Sequence, residues 1–203
     1  LAEDRLASSQ RLFEEMVMSL AKTIDSKDAY TRGHSQRVGR YARHIAYKLH
    51  WTEEEQKKIY FMGLLHDIGK IGIPEQIINK PDRLTDEEYS KIQQHTVIGS
   101  DILQLVAEFP ELSLGARYHH ERYDGKGYPD GLAGTDIPVY ARIIAVADAY
   151  DAMTSKRSYR DILPQSVARS EIAKGSGRQF DPQFAKLMVE IIDEDVDYML
   201  HEH

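Results

Sequence analysis

An all-α fold is predicted by three features of the sequence. Apolar residues recur at three- and four-residue spacing along most of the chain, Thr followed by Glu three positions later occurs at two helix starts, and no convincing stretch alternates with the period of two that a half-buried strand shows. Leu6, Phe13, Met16, Val17, Leu20 and Ile24 predict an amphipathic helix over about the first 26 residues, either packing on the core or continuing a helix from an upstream sensory domain. A second helix is expected from about Ser35 to Leu49, burying Val38, Tyr41, Ala42, Ile45 and Leu49. A third starts at Thr52, whose hydroxyl can cap it while Glu55 reaches back, and ends near Gly69. Thr85 and Glu88 repeat that box and open a helix toward Gln94, with helices near Val97–Val106 and Glu111–His120 after it.

The segment Glu121–Pro138 holds Gly125, Gly127, Pro129, Gly131, Gly134 and Pro138 and cannot be regular helix, because glycine is entropically costly there and proline lacks the donor. It reads as a long loop of the kind that is often functional. Val139–Thr154, rich in Ala, Ile and Val, reads as a buried helix, and helices near Gln165–Lys174 and Pro182–Ile192 complete the chain. Residues 1–27 are taken as a linker or packing helix and 28–203 as the domain proper.

Composition narrows the function classes. The chain has 203 residues, 41% hydrophobic and 29% charged, enough for one domain with a sizeable core. It has no Cys, which excludes disulfides, thiolate metal ligands and a Cys nucleophile and fits a reducing compartment, so a cytoplasmic setting is expected. A formal net charge of -7 argues against DNA or an anionic membrane as partner, and no apolar run is long enough to span a bilayer. The first residue is Leu1, and the chain is read as a piece of something longer.

His66 and Asp67 follow the apolar run Phe61–Leu65, where a carboxylate is costly unless it is paired or metal-bound. An adjacent His and Asp can ligate two metals, the carboxylate bridging. His119 and His120 stand beside the Gly-rich segment, His95 follows a short helix, and His34 precedes one. Asp148 and Asp151, three residues apart, share one face of an otherwise apolar helix and need cations. Each feature alone has an ordinary structural explanation; together they point to a metal site. His44, His50, His201 and His203 lack such context and are assigned to solvated faces or the C-terminal tail.

The run His66-Asp67-Ile68-Gly69-Lys70-Ile71-Gly72-Ile73-Pro74 resembles the HD signature of the HD-GYP family, and His119-His120-Glu121 followed by Asp124-Gly125-Lys126-Gly127-Tyr128-Pro129 resembles its GYP signature. Asn79-Lys80-Pro81, Leu84-Thr85, His95 and Asp148-Ala149-Tyr150-Asp151-Ala152-Met153-Thr154 fall where that family has them, so the resemblance runs from about Asp28 to Phe184. It implies an HD-domain helical bundle with a GYP loop, and a bacterial enzyme that hydrolyses cyclic di-GMP.

Carried over position by position, the resemblance implies metal ligands His34, His66, Asp67, His95, His119, His120 and Asp148. One ion would take His34, His66, Asp67 and Asp148, the other Asp67, His95, His119 and His120, with Asp67 bridging. Lys70 would contact the scissile phosphate, Arg157 and Arg160 would hold substrate phosphates, and Asp151 would support that network. Tyr128 has two open roles, a guanine contact or packing within the loop. Some members hold a third metal through a Glu four residues before the first ligand His. Here that position is Tyr30, a poor ligand at neutral pH, so two ions are expected, and the product stays open between linear pGpG and GMP. Asp28 lies two residues off that position and is given little weight. A donor set without Cys admits iron, manganese, cobalt, nickel or zinc, and the resemblance favours iron or manganese. Further implied partners are an upstream sensory or receiver domain, a diguanylate cyclase docking on the GYP loop, and a second copy through the first helix. The rival readings are a nucleotide-binding adaptor with little turnover and a phosphohydrolase acting on mononucleotides or a related cyclic dinucleotide.

Overall fold

The computed structural model describes residues 2–28, 32–155 and 162–199, so Tyr30, Arg157, Arg160, His201 and His203 lie outside the described residues. The described chain is helical: α1 Ala2–Asp25, α2 His34–Lys48, α3 Glu53–Leu65, α4 Glu75–Ile78, α5 Asp86–Gln93, α6 His95–Leu103, α7 Leu112–Tyr118, α8 Val139–Thr154, α9 Gln165–Gly175 and α10 Pro182–Glu194. Two 3₁₀ turns, Ile68–Gly72 and Gly134–Asp136, complete it.

The core forms where α2, α3, α8 and α10 meet. Val38, Tyr41, Ala42 and Ile45 of α2 are fully buried, as expected, and Leu49 is partly so. They join Ile59, Met62 and Leu64 of α3 and Ile143, Ile144, Val146 and Ala147 of α8, each large side chain contributing roughly 1.5–3 kcal/mol by burial. The backbones of α2 and α3 approach so closely that a β-carbon on Gly63 would lie 2.6 Å from the Cα of Gly39. Both expected capping boxes form: Thr52 caps α3 and Thr85 caps α5, with Glu55 and Glu88 reciprocating.

Two expectations change. The third helix ends at Leu65 rather than near Gly69, and the chain tightens into the 3₁₀ turn after Asp67. That turn presses Gly69 onto the start of α6, where a β-carbon would come within 1.8 Å of the His95 carbonyl oxygen. The apolar stripe of α1 is only partly covered. Val17, Ala21 and Ile24 are buried, whereas Leu12, Phe13, Met16 and Leu20 are 40–58% exposed. A helix of this length is roughly 36 Å long, against roughly 20 Å for the α3 helix it lies on, so its N-terminal part runs past its support. Where α1 ends, Asp25 accepts hydrogen bonds from the Ser35 hydroxyl (2.6 Å) and backbone N–H (3.3 Å), tying it to the first turn of α2 and setting His34.

Candidate metal centre

The residues that converge come from six places in the chain. His34 starts α2, His66 and Asp67 follow α3, Lys70 sits in the 3₁₀ turn, His95 starts α6, His119 and His120 follow α7, and Asp148 lies on α8. Asp67 is at the centre. One of its oxygens, Oδ2, lies 3.4 Å from His66 Nε2, 3.6 Å from His34 Nε2 and 2.7 Å from Lys70 Nζ. The other, Oδ1, lies 3.3 Å from His95 Nε2 and 3.9 Å from His119 Nε2. Asp148 Oδ1 is 3.4 Å from His34 Nε2. Donor atoms of His34, His66 and Asp148 fall within 4.8 Å of one another, as do those of His95, His119 and His120, and those of His66, Asp67 and His119.

For His34, His66, His95 and His119, orientation comes from the other ring nitrogen. Nδ1 of His66 donates to the Gly63 carbonyl (2.7 Å), that of His95 to Ile92 (2.6 Å) and that of His119 to Ala116 (2.9 Å). These bonds run back to the preceding turn, so the local backbone fixes each tautomer and aims Nε2 inward. His34 instead uses Asp151, at 2.7 Å from Nδ1. Asp151 is fully buried, and its carboxylate is taken by His34, Arg37 and Ser155. Asp151 thus stands behind His34 and does not line the cavity, while its expected support of Arg157 and Arg160 falls on residues outside the described ones. Arg37 escaped the sequence reading; its one signal is its place three residues after His34, on the same helix face.

The electrostatics suit a cation. Burial opposes charge on Asp67, but Lys70 and the surrounding imidazoles hold its carboxyl well below the usual range. Burial lowers His95 and His119, and brings His120 down to about 3, so these rings are neutral and ready to donate lone pairs. His34 is the exception. Burial would lower it, but Asp151, Asp67 and Asp148 prevail and raise it to about 9. Two observations fit an ion among these residues. The Nε2 of His66 is buried without a hydrogen-bond partner among the described residues, and the inward Nε2 atoms of His95 and His119 face each other at 3.3 Å. An all-N/O donor set matches divalent iron, manganese, cobalt, nickel or zinc.

The cluster floors a cavity of about 780 Å³, also lined by Asp28, Lys70, Lys80, Tyr89 and Tyr128. Asp28, lightly weighted from sequence, is buried at its edge, 3.7 Å from Lys70 Nζ. Tyr128 stacks on His120, with ring centres 4.8 Å apart and planes at 26°, while still lining the cavity. The GYP segment is tied down: Glu121 Oε1 accepts from the N–H groups of Asp130 (2.7 Å) and Gly131 (3.0 Å), Arg117 pairs with Asp130, and Tyr123 and Asp124 donate to Gln179 and Arg178. No described helix is long and apolar enough to cross a membrane.

Comparison with known proteins agrees with this architecture. The HD domain family profile matches residues 18–184. A protein named cyclic di-GMP phosphodiesterase from Thermotoga maritima is 41% identical over 199 residues, covering 95% of this chain and 54% of that protein. The cyclic di-GMP phosphodiesterase response regulator RpfG of Xanthomonas campestris is 39% identical, covering 89% of this chain and 50% of that one. A 3'3'-cGAMP-specific phosphodiesterase 2 of Vibrio cholerae is 37% identical, covering 89% and 35% respectively. The chain thus spans about half the length, or less, of these curated relatives. Among solved structures, a cyclic GMP-AMP phosphodiesterase of V. cholerae superposes with a TM-score of 0.71 at 21% identity, over 91% of this chain and 49% of that one. The HD domain of the L. monocytogenes phosphodiesterase PgpH, solved with cyclic di-AMP, does so with a TM-score of 0.64 at 21% identity, over 91% and 98%. The chain belongs to the HD domain family, in the HD-GYP branch whose signatures it carries at 66–74 and 119–129.

Proposed function

We propose that this domain is a metal-dependent phosphodiesterase that hydrolyses cyclic di-GMP to linear pGpG, the further step to GMP staying open. The observation that carries this reading is the placement of Asp67, one carboxylate oxygen toward His34 and His66 and the other toward His95 and His119, at the floor of an open cavity. His34, His66, Asp67 and Asp148 would hold one divalent ion, and Asp67, His95, His119 and His120 the other, with iron or manganese as the natural occupants. Such ions supply, when bound, Lewis acidity toward a phosphoryl oxygen and an acidified water as nucleophile. Lys70, held beside Asp67 at 2.7 Å, brings a fixed ammonium to the charge that grows on the phosphoryl oxygens. Tyr128 of the GYP loop forms part of the cavity wall. Arg157 and Arg160 are proposed phosphate contacts, since guanidinium can grip phosphate bidentately.

The names of the relatives support a cyclic dinucleotide, and two of them differ in which one, so a panel of cyclic di-GMP, 3'3'-cGAMP and cyclic di-AMP belongs in the test. The protein is loaded with manganese or ferrous iron and products are separated by chromatography. Conversion of cyclic di-GMP to pGpG supports the reading. Tight binding without turnover, with the metals loaded, contradicts it and favours the adaptor. A cytoplasmic setting, a sensory domain in the longer protein and a diguanylate cyclase partner at the GYP loop accompany this reading, because the substrate is an intracellular messenger.

A further inference from the structure

Beside the main cavity lies a second one of about 490 Å³. The two share Tyr89, His120, Tyr128, Asp148 and Ala152 in their walls, so they are two lobes meeting over one edge of the metal cluster. Their linings differ. The larger lobe has an aliphatic wall that includes Ile73, Ile77 and Leu84; the smaller has Met153 and Phe180 with Gln179 and Glu171. Of the two tyrosines at the junction, Tyr128 already has one face covered by His120. Tyr89 is different: it is 48% exposed, and its ring meets Tyr128 edge-on, with centres 6.3 Å apart and planes at 79°. A half-exposed aromatic ring at the mouth of a polar site, met only along its edge by the neighbouring ring, suits a stacking partner. It is also held firmly. Its helix, α5, is capped by Thr85, and the reciprocating Glu88 is gripped by Lys80 at 2.6 Å.

We propose that the two lobes are the two nucleoside subsites of a cyclic dinucleotide, and that Tyr89 is the aromatic partition against which a purine stacks. A cyclic dinucleotide has two nucleosides diverging from its phosphates, so a phosphate lying over His120 and Asp148 leaves one base for each lobe. This inference rests on the cyclic-dinucleotide reading above but not on turnover.

The test uses Tyr89→Ala, Tyr89→Leu and Tyr89→Phe in the metal-loaded protein. Tyr89→Leu keeps apolar bulk without a ring, and circular dichroism melting checks that each variant folds. For cyclic di-GMP, the Ala and Leu variants should raise KM about tenfold, equivalent to about 1.4 kcal/mol, while kcat changes far less and the Phe variant stays near the parent. A second readout needs no catalysis: a cyclic dinucleotide with 2-aminopurine replacing one base should be quenched on binding to the parent and the Phe variant, and much less by the Leu variant. Quenching that depends on the ring, without turnover, would sustain Tyr89 and sink the hydrolase. Turnover with KM unchanged in both the Ala and Leu variants would overturn the role of Tyr89 and leave the hydrolase standing. Neither binding nor turnover of any cyclic dinucleotide would overturn both.

Discussion

His34 donates through Nδ1 to Asp151 over 2.7 Å, and that contact joins the first helix of the core to α8. Arg37 holds the same carboxylate from the next turn of α2, at 2.6 Å. Asp151 thus aims the imidazole while staying out of the cavity. Asp151→Asn keeps the shape but removes the charge opposite both His34 and Arg37. It should weaken metal binding about 10–100-fold, the usual cost of losing a partner behind a ligand histidine. Metal titration followed by competition with a chelator measures it; unchanged affinity would show that His34 needs no such support.

Metal uptake should release a proton. His34 is raised to about 9, so it is charged at pH 7.5 in the metal-free protein, and it must be neutral to ligate. His95, His119 and His120 are lowered and Asp67 and Asp148 are already ionised, so they contribute none. For a group whose folded value is raised, the stabilisation of the metal-free fold is fully present below about 6.5 and is lost as pH rises through about 9. Metal affinity should therefore climb with pH up to about 9 and then level off. Calorimetric titrations at pH 7.5 in buffers of different ionisation enthalpy should report net proton release on metal uptake; a value of zero would show that His34 is already neutral in the metal-free protein.

Gly69→Ala should damage both the fold and the site. The added carbon would sit 1.8 Å from the carbonyl oxygen of His95, which cannot yield without moving the start of α6. The cost should reach or exceed the about 1–3 kcal/mol typical of overpacking. Urea denaturation gives the stability loss, and metal titration should show the His95 side of the site weakened first.

Glu121 is the clamp of the GYP loop. Glu121→Ala leaves the N–H groups of Asp130 and Gly131 without their acceptor; both residues are exposed, so water replaces it and the loss should be about 0.5–1.5 kcal/mol for each. Glu121→Gln retains an acceptor oxygen and should lose much less. Hydrogen exchange across residues 125–133 should rise sharply in the Ala variant alone.

Much of this arrangement was legible in the residues themselves. The apolar stripe of α2 and the two Thr–Glu boxes need only local geometry, and all of them form. The acid pair on α8 was also visible, because two carboxylates in an apolar helix must meet cations. Which acid faces the cavity was not, since positions three apart differ by about 60° around the axis and Arg37 on another helix decides the matter. The end of α3 was hidden for a similar reason: residues 66–72 keep helix-compatible spacing, and the 3₁₀ turn follows from the tertiary contact of Gly69 with α6. The stripe on α1 misled because the covered face is narrower than the apolar one: Val17, Ala21 and Ile24 are buried while Met16 and Leu20 beside them stay exposed.

Crystals of the manganese- or iron-loaded protein, with anomalous scattering recorded at the metal edge, test the shared carboxylate directly. Two ions per chain are expected, each touching a different oxygen of Asp67, with His34, His66 and Asp148 around one and His95, His119 and His120 around the other. A single ion, or two ions of which neither touches Asp67, would contradict the account.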